Sequence, residues 1–254
     1  MEKNRRLVAV LACRNNGTRL YGKPMQLLYD EKSILDQLIE SLQRFDMIDD
    51  VVLAIAEGKA NAIFTEVAEK HDIPYIVGDH DDVLLRLITA AEHAGATDVF
   101  RITTECPWVD YSLIAPAWNS HLQNQNDMTV TDQLPEGLAF EIYTLASLKT
   151  FHERGQAKDR SEYCSNYPRT HPDEFKIEVI LPAASLRRLD LRVTVDNPED
   201  LILCRAIAKG LKATMPLPSV QEIIDFLDSR EDLKSLVASY VVPVPLWDFK
   251  KAKE

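Results

Sequence analysis

Leu7-Val-Ala-Val-Leu-Ala12, running straight into Cys13-Arg-Asn-Asn-Gly-Thr-Arg-Leu-Tyr-Gly-Lys-Pro24, is the stretch that decides the fold class. An unbroken apolar run of this length reads as a strand buried on both faces, which belongs to a parallel sheet. The next ten residues, 14 to 23, carry Arg14, Arg19 and Lys23 beside Gly17 and Gly22. Open α/β sheets bind ligands outside the carboxyl ends of their strands. Clustered cations and backbone amides at that place suit a polyphosphate, because guanidinium forks and amide donors can surround its oxygens. Gly17 to Lys23 also opens like G-x-x-x-x-G-K, but Pro24 stands where a P-loop needs Ser or Thr to ligate magnesium and begin a helix, so that reading is rejected.

Outward from the loop, strand and helix patterns alternate. Ser33 reads as an N-cap, with Ile34, Leu35, Leu38, Ile39, Leu42 and Phe45 on one helical face. Val51 to Ile55, Tyr75 to Val77 and Val99 to Ile102 read as strands, Asn61 to Lys70 as a helix, and Asp81 as the cap of another helix with Val83, Leu84, Leu87, Ile88 and Ala91 inward. Such repeated units imply a mainly parallel sheet with right-handed crossovers. Asn126 to Ile142 reads as antiparallel strands about the turn Pro135-Glu-Gly137. Leu145 to Arg154 and Glu162 to Arg169 read as helices, and Phe175 to Ile180 and Leu191 to Val195 as strands. Asn197 starts a helix over Pro198 to Lys209 with Pro at its first position, and Gln221 to Leu227 forms another. A Pro-rich basic tail from Val242 is expected to be mobile. The economical reading of residues 1–254 is one three-layer α/β domain with an inserted arm at about 131–181.

A net charge of −11 argues against sequence-independent nucleic-acid binding, and 46% apolar residues is ordinary for a globular chain. Cys13, Cys106, Cys164 and Cys204 are scattered, without zinc spacing or a C-x-x-C pair, which favours free thiols and a cytoplasmic protein. No stretch is long and apolar enough for a membrane span, and Met1 to Ala12 imitates a signal peptide only faintly.

Two carboxylates sit just past strands: Glu105 after Val99 to Ile102, and Asp196 after Leu191 to Val195. If those strands neighbour the first, carboxylates face cations across one crevice, an arrangement for a metal–triphosphate complex. Asp196 is equally explained as an acid favoured at a helix N-terminus. Asp82 and Arg86 are explained without function as an i,i+4 surface pair. Trp108 lies beside the site and fits either a core or a pocket wall. The six histidines show no metal-ligand spacing.

The segments CRNNGTRLYGKP (13–24), GDHDDVLLR (78–86), VFRITTECP (99–107), PEGLAFE (135–141) and LRVTVDNPEDL (191–201) occur in the order found in cytidylyltransferases. The chain resembles the spore-coat-polysaccharide type most, and more distantly the enzymes that activate 3-deoxy-manno-octulosonate and sialic acid. The resemblance implies a glycosyltransferase-A-like nucleotidyltransferase fold and Mg2+-dependent transfer of CMP from CTP to a small acidic acceptor, with release of pyrophosphate. It also implies a homodimer formed through the arm. By motif position, Arg14, Asn15, Asn16, Gly17, Thr18, Arg19 and Lys23 would hold the nucleotide, bordered by Asp82 and Arg86. Lys23 and Arg14 would act in catalysis, Glu105 and Asp196 would bind the metal, and Trp108, Glu141, Arg160 and Glu162 would meet the acceptor.

Departures cluster on the acceptor side. Glu105 stands where the family usually has Asp, Gly17 where serine is common, and Tyr21 where proline is common. Ala139 replaces a carboxylate, and Ser161-Glu162-Tyr163 replaces an Arg-Glu-His run. Two rivals remain: a nucleotide-sugar glycosyltransferase, for which Thr104-Glu105-Cys106 fails to supply the usual Asp-x-Asp, and a degenerate nucleotide binder without turnover.

Overall fold

A computed structural model describes residues 5–162, 164–212 and 217–247. Its first strand, β1 (Leu7–Cys13), is the apolar run, and its residues alternate between two cores. Leu7, Ala9, Leu11 and Cys13 enter one cluster, Val8 and Val10 the other. A strand with no polar face cannot sit at an edge, and β1 accordingly lies inside the sheet.

After β1 come the small hairpin β2 (Leu27–Tyr29) and β3 (Lys32–Ser33), helix α1 (Ile34–Leu42), β4 (Asp50–Ala56), α2 (Ile63–Lys70), β5 (Tyr75–Gly78), α3 (Val83–His93) and β6 (Asp98–Arg101). Then follow α4 (Ile114–Asn124), β7 (Met128–Thr131), β8 (Glu141–Thr144), α5 (Leu145–Arg154), α6 (Asn166–Thr170) and β9 (Ile177–Ile180). The chain closes with α7 (Pro198–Gly210), α8 (Val220–Asp228) and α9 (Glu231–Val237). The seven-stranded order is β5-β4-β1-β6-β8-β7-β9. Only β8 runs against the others, pairing antiparallel with β6 and β7. Helices α1, α2 and α4 pack on one face of the sheet, α3 and α5 on the other. A third cluster joins α7, α8 and α9 to Trp108, Leu138, Val193 and Val195. The chain leaves β1 towards β4 on one side and returns to it as β6 on the other, which opens a crevice at the carboxyl ends of β1 and β6.

Local signals account for many boundaries. Ser33 caps α1 in a reciprocal box with Asp36, and Asn197 caps α7 with Pro198 at the first position. Other expectations change. Asp82, not Asp81, caps α3 by accepting from the Leu85 amide (2.8 Å). Asp82 and Arg86 are not a surface pair: Asp82 meets His152 Nε2 at 2.8 Å, while Arg86 is buried and donates to the carbonyls of Ala54, Asp79 and His80. Leu191 to Val195 is extended but not a strand. It makes an isolated bridge, Arg192 with Glu136, and its Val195 amide donates to the Glu105 carbonyl of the loop after β6. The helix expected over 162–169 shortens to α6, and Tyr163 lies outside the described residues.

Residues 131–181, expected as an inserted arm, supply β8 and β9 to the main sheet. The tail is docked as far as it is described. The amides of Leu246 (3.2 Å) and Trp247 (2.9 Å) both donate to the Asp132 carboxylate, and Trp247 is buried in the α3–α5 core. Residues 248–254 lie outside the described residues. Helices α4 and α9 carry no mark in the sequence reading; Pro116 sits in the first turn of α4, where its missing N–H costs no internal bond.

Candidate active site

The loop after β1 is held from beneath. The Asn15 amide donates to Asn61 Oδ1 (2.8 Å), Asn15 Nδ2 donates to the Ala60 carbonyl (2.7 Å), and the Asn15 carbonyl accepts the amides of Gly17 and Gly22. Asn15 is therefore buried as a brace, while Asn16, Thr18 and Arg19 are exposed. Gly22, at φ 61, sits where a Cβ would lie 2.9 Å from Asn15 Oδ1, so the sequence needs glycine there.

The cleft is lined by Arg14, Asn16, Gly17, Thr18, Arg19 and Lys23 from this loop, Val83, Arg86 and Leu87 from α3, Arg101 from β6, Thr103, Thr104 and Glu105 from the following loop, and Glu162. Five cations thus face two carboxylates in a chain of net charge −11. Arg86 makes this excess structural, since its bonds go to main-chain carbonyls and not to an acid. Burial and the nearby Arg14 charge both push its pKa down, as expected of a cation without a countercharge. Such a pocket favours a multiply charged anion.

Asp196 closes one side. Its Oδ1 accepts from Lys23 Nζ (2.6 Å) and Arg19 Nη2 (3.2 Å), and its Oδ2 from Arg192 Nη2 (2.7 Å). Burial acts to raise its pKa, but the Lys23 and Arg192 hydrogen bonds and charges prevail and hold it below the usual carboxylate range. Glu105 is half-buried, and burial is the main cause that lifts its pKa; the Asp196 charge adds to this and Lys23 opposes it. The Glu105 carbonyl accepts the Val195 amide (3.0 Å), which ties the two acid-bearing segments together.

A sequence model described as cytidylyltransferase matches residues 8–236. The chain belongs to the cytidylyltransferase family. It is 24% identical over 232 residues to the spore coat polysaccharide biosynthesis protein SpsF of Bacillus subtilis, an alignment covering 89% of this chain and 95% of that one. A cytidylyltransferase structure from Leptospira borgpetersenii superposes with a TM-score of 0.80 at 19% identity, covering 94% of this chain and 99% of that chain. A CMP:2-keto-3-deoxy-manno-octonic acid synthetase solved with CTP superposes at 0.63 and 12% identity, covering 81% and 99%. The fold is that of the glycosyltransferase-A-like nucleotidyltransferases.

Within this cytidylyltransferase cleft, the structure brings together Arg14, Asn16, Gly17, Thr18, Arg19, Lys23, Arg86, Glu105 and Glu162, with Asp196 joined to Lys23. Other expected residues stand elsewhere. Asp82 is occupied as a helix cap and by His152. Trp108 is fully buried in the α7–α9 cluster and forms no wall of the cleft. Glu141 is buried against Arg101 Nη1 (2.6 Å) and the Tyr143 hydroxyl (2.5 Å), so it acts on the cleft only through Arg101. Arg160 donates to the Gly155 carbonyl (3.3 Å), outside the cleft lining. Glu162 reaches Arg14 at 3.8 Å, and its carbonyl accepts from Arg101 Nη2 (2.7 Å).

Arg101 and Arg192 escaped the sequence reading, although a signal was present. Each stands four residues before an acid in the same frame, Arg101-Ile-Thr-Thr-Glu105 and Arg192-Val-Thr-Val-Asp196.

The donor chemistry at Glu105 and Asp196 fits Mg2+. They are two carboxylates close enough for the Asp196 charge to help raise the Glu105 pKa, and Mg2+ is typically held by one or two carboxylates plus phosphate oxygens. Among the described residues there is no group of three or more His, Cys, Asp or Glu side chains placed to hold a metal alone.

Proposed function

We propose that this protein is a CTP-dependent cytidylyltransferase that joins CMP to an acidic sugar or small phosphorylated metabolite and releases pyrophosphate. The acceptor would serve surface-polysaccharide synthesis, as the name of the B. subtilis relative suggests for that protein. The observation that carries the reading is the cleft itself, with five cations over two carboxylates at the carboxyl ends of β1 and β6.

In this reading Arg14, Arg19 and Lys23 grip the triphosphate, with the exposed residues Asn16 and Thr18 nearby. Val83 and Leu87, at the start of α3, give an apolar wall for the nucleoside. An acceptor oxygen attacks the α-phosphorus in line, a bond forms there, and the bond to the β-phosphate oxygen breaks. Lys23 stabilises the charge gathering on the phosphoryl oxygens, a task that needs a fixed cation more than a nucleophile. Glu105 and Asp196 would hold Mg2+, which when bound supplies charge neutralisation at the phosphates. No protein nucleophile is required, which agrees with the burial of all four cysteines.

Thermal stabilisation by CTP, UTP, ATP and GTP, each with and without Mg2+, tests the reading without knowledge of the acceptor. A shift specific to CTP and enlarged by Mg2+ is expected. Equal shifts with all four would overturn the nucleotide assignment, and no shift with any would overturn the site.

A further inference from the structure

The two oxygens of Asp196 are held from opposite sides. Oδ1 faces Lys23 and Arg19, both of which line the cleft. Oδ2 faces Arg192, whose side chain is only 5% exposed and does not line it. Arg192 spreads its fork over three carboxylates: Nη1 to Glu136 (2.5 Å), Nη2 to Asp196 (2.7 Å) and Nε to Asp200 (2.9 Å). Asp200 in turn accepts the backbone amides of Asp196 (3.0 Å) and Asn197 (2.8 Å). The Arg192–Asp200 pair therefore sets both the main chain and the side chain of Asp196. This group is balanced, with Arg19, Lys23 and Arg192 against Glu136, Asp196 and Asp200.

We infer that Arg192 is a positioning residue for a divalent cation. It pins Oδ2 of Asp196 away from the cleft, so that Oδ1 alone is presented when Lys23 and Arg19 turn to an incoming triphosphate. Their departure leaves an excess of negative charge around Asp196, which favours a cation at the freed oxygen. Mg2+ tolerates little deviation from octahedral geometry, so a carboxylate free to rotate would hold it poorly. Partners that orient a ligating carboxylate typically change metal affinity by about 10–100-fold when removed. Only a planar guanidinium can serve three carboxylates in this way; an ammonium at the end of a shorter reach cannot. The inference rests on the Mg2+–CTP reading above.

Mn2+ is the probe, followed by electron paramagnetic resonance with CTP present, on wild type and Arg192→Lys. CTP affinity in EDTA and the unfolding transition are measured on the same proteins. The lysine variant is expected to unfold cooperatively and to keep its metal-free CTP affinity, because Arg19 and Lys23 are intact. Its Mn2+ affinity is expected to fall by about tenfold or more. A folded variant with wild-type Mn2+ affinity overturns the positioning role. If Arg192→Lys does not fold, Arg192→Met combined with Asp200→Asn removes the buried charges together, which proteins tolerate better than losing one partner. The same loss is expected there, and unchanged affinity is equally fatal. Wild type that binds CTP but never Mn2+ overturns the metal reading itself, and the inference with it.

Discussion

Lys23 Nζ lies 2.6 Å from Asp196 Oδ1, an ion pair between residues 173 positions apart. Both side chains are largely shielded, so the pair is worth more than a surface contact. It draws the loop after β1 onto the N-terminal end of α7 and places the lysine of the cleft beside its best-anchored acid.

Removing Asp196 takes away the acid that Lys23 pairs with, and removing Lys23 leaves Asp196 to Arg19 and Arg192. Lys23→Ala and Asp196→Ala are each expected to lower turnover by about a hundredfold or more while the fold persists. Steady-state pyrophosphate release, with circular dichroism as the folding control, checks this. Wild-type turnover in either variant would remove these residues from the site.

Glu105 is the residue where family geometry and this chain differ. Its pKa is raised in the folded protein, so the unfolded chain releases this proton at lower pH and binds fewer protons in between. Stability therefore falls as pH rises from the usual carboxyl value, about 4.3, through the raised one. Glu105→Gln should unfold at a higher temperature than wild type at neutral pH, with the difference gone below about pH 4. Scanning calorimetry across that range reads the effect, and a destabilised variant at pH 7 would contradict it. Glu105→Asp, which restores the family's shorter side chain, should keep or raise turnover; a large loss would mean the loop is built around glutamate.

Asp36 gives the opposite pH dependence. Burial alone would raise its pKa, but hydrogen bonds from His71 (2.6 Å), Ser33 and Lys70 (2.9 Å) hold it far below the usual range. Its contribution is thus full above the ordinary carboxyl value and is lost as pH falls through the depressed one. Asp36→Asn should cost about 2 kcal/mol at pH 7 and progressively less in acid. Urea titrations at pH 7 and pH 3 measure the difference, and a pH-independent cost would be contrary to it.

Gly137 connects backbone geometry to the site. At φ 101 its missing Cβ would lie 2.6 Å from the Thr194 nitrogen and 2.9 Å from its Cα. Gly137→Ala must push back the strip that ends in Asp196, at a strain of about 1–3 kcal/mol or more. Lower stability together with weaker turnover is expected. Full activity at reduced stability would show that the strip moves without disturbing Asp196.

Much of this was legible in the residues alone. The apolar run of β1, the Ser33 and Asn197 caps and the helical periodicities of α1 and α3 are short-range signals, and their elements formed close to where they were read. The cationic loop was equally plain, because its charges lie within ten residues of one another. Asp82 was harder, since either of two adjacent aspartates can cap a helix and only the backbone turn at Asp79 settles which one does.

The sequence by itself determined most of the elements up to β6, the mainly parallel sheet and the cationic loop after β1, since each depends on residues within a turn or two of one another. Tertiary structure decided the rest. It placed β8 between β6 and β7, turned Leu191 to Val195 from a strand into a strip bonded to Glu136 and Glu105, and buried Trp108. It also pinned Trp247 to Asp132, 115 residues away, and set Arg192 behind Asp196. Hydrogen bonds and ion pairs need atoms within about 3 Å, and no local pattern records which distant groups the packing of the sheet will bring that close.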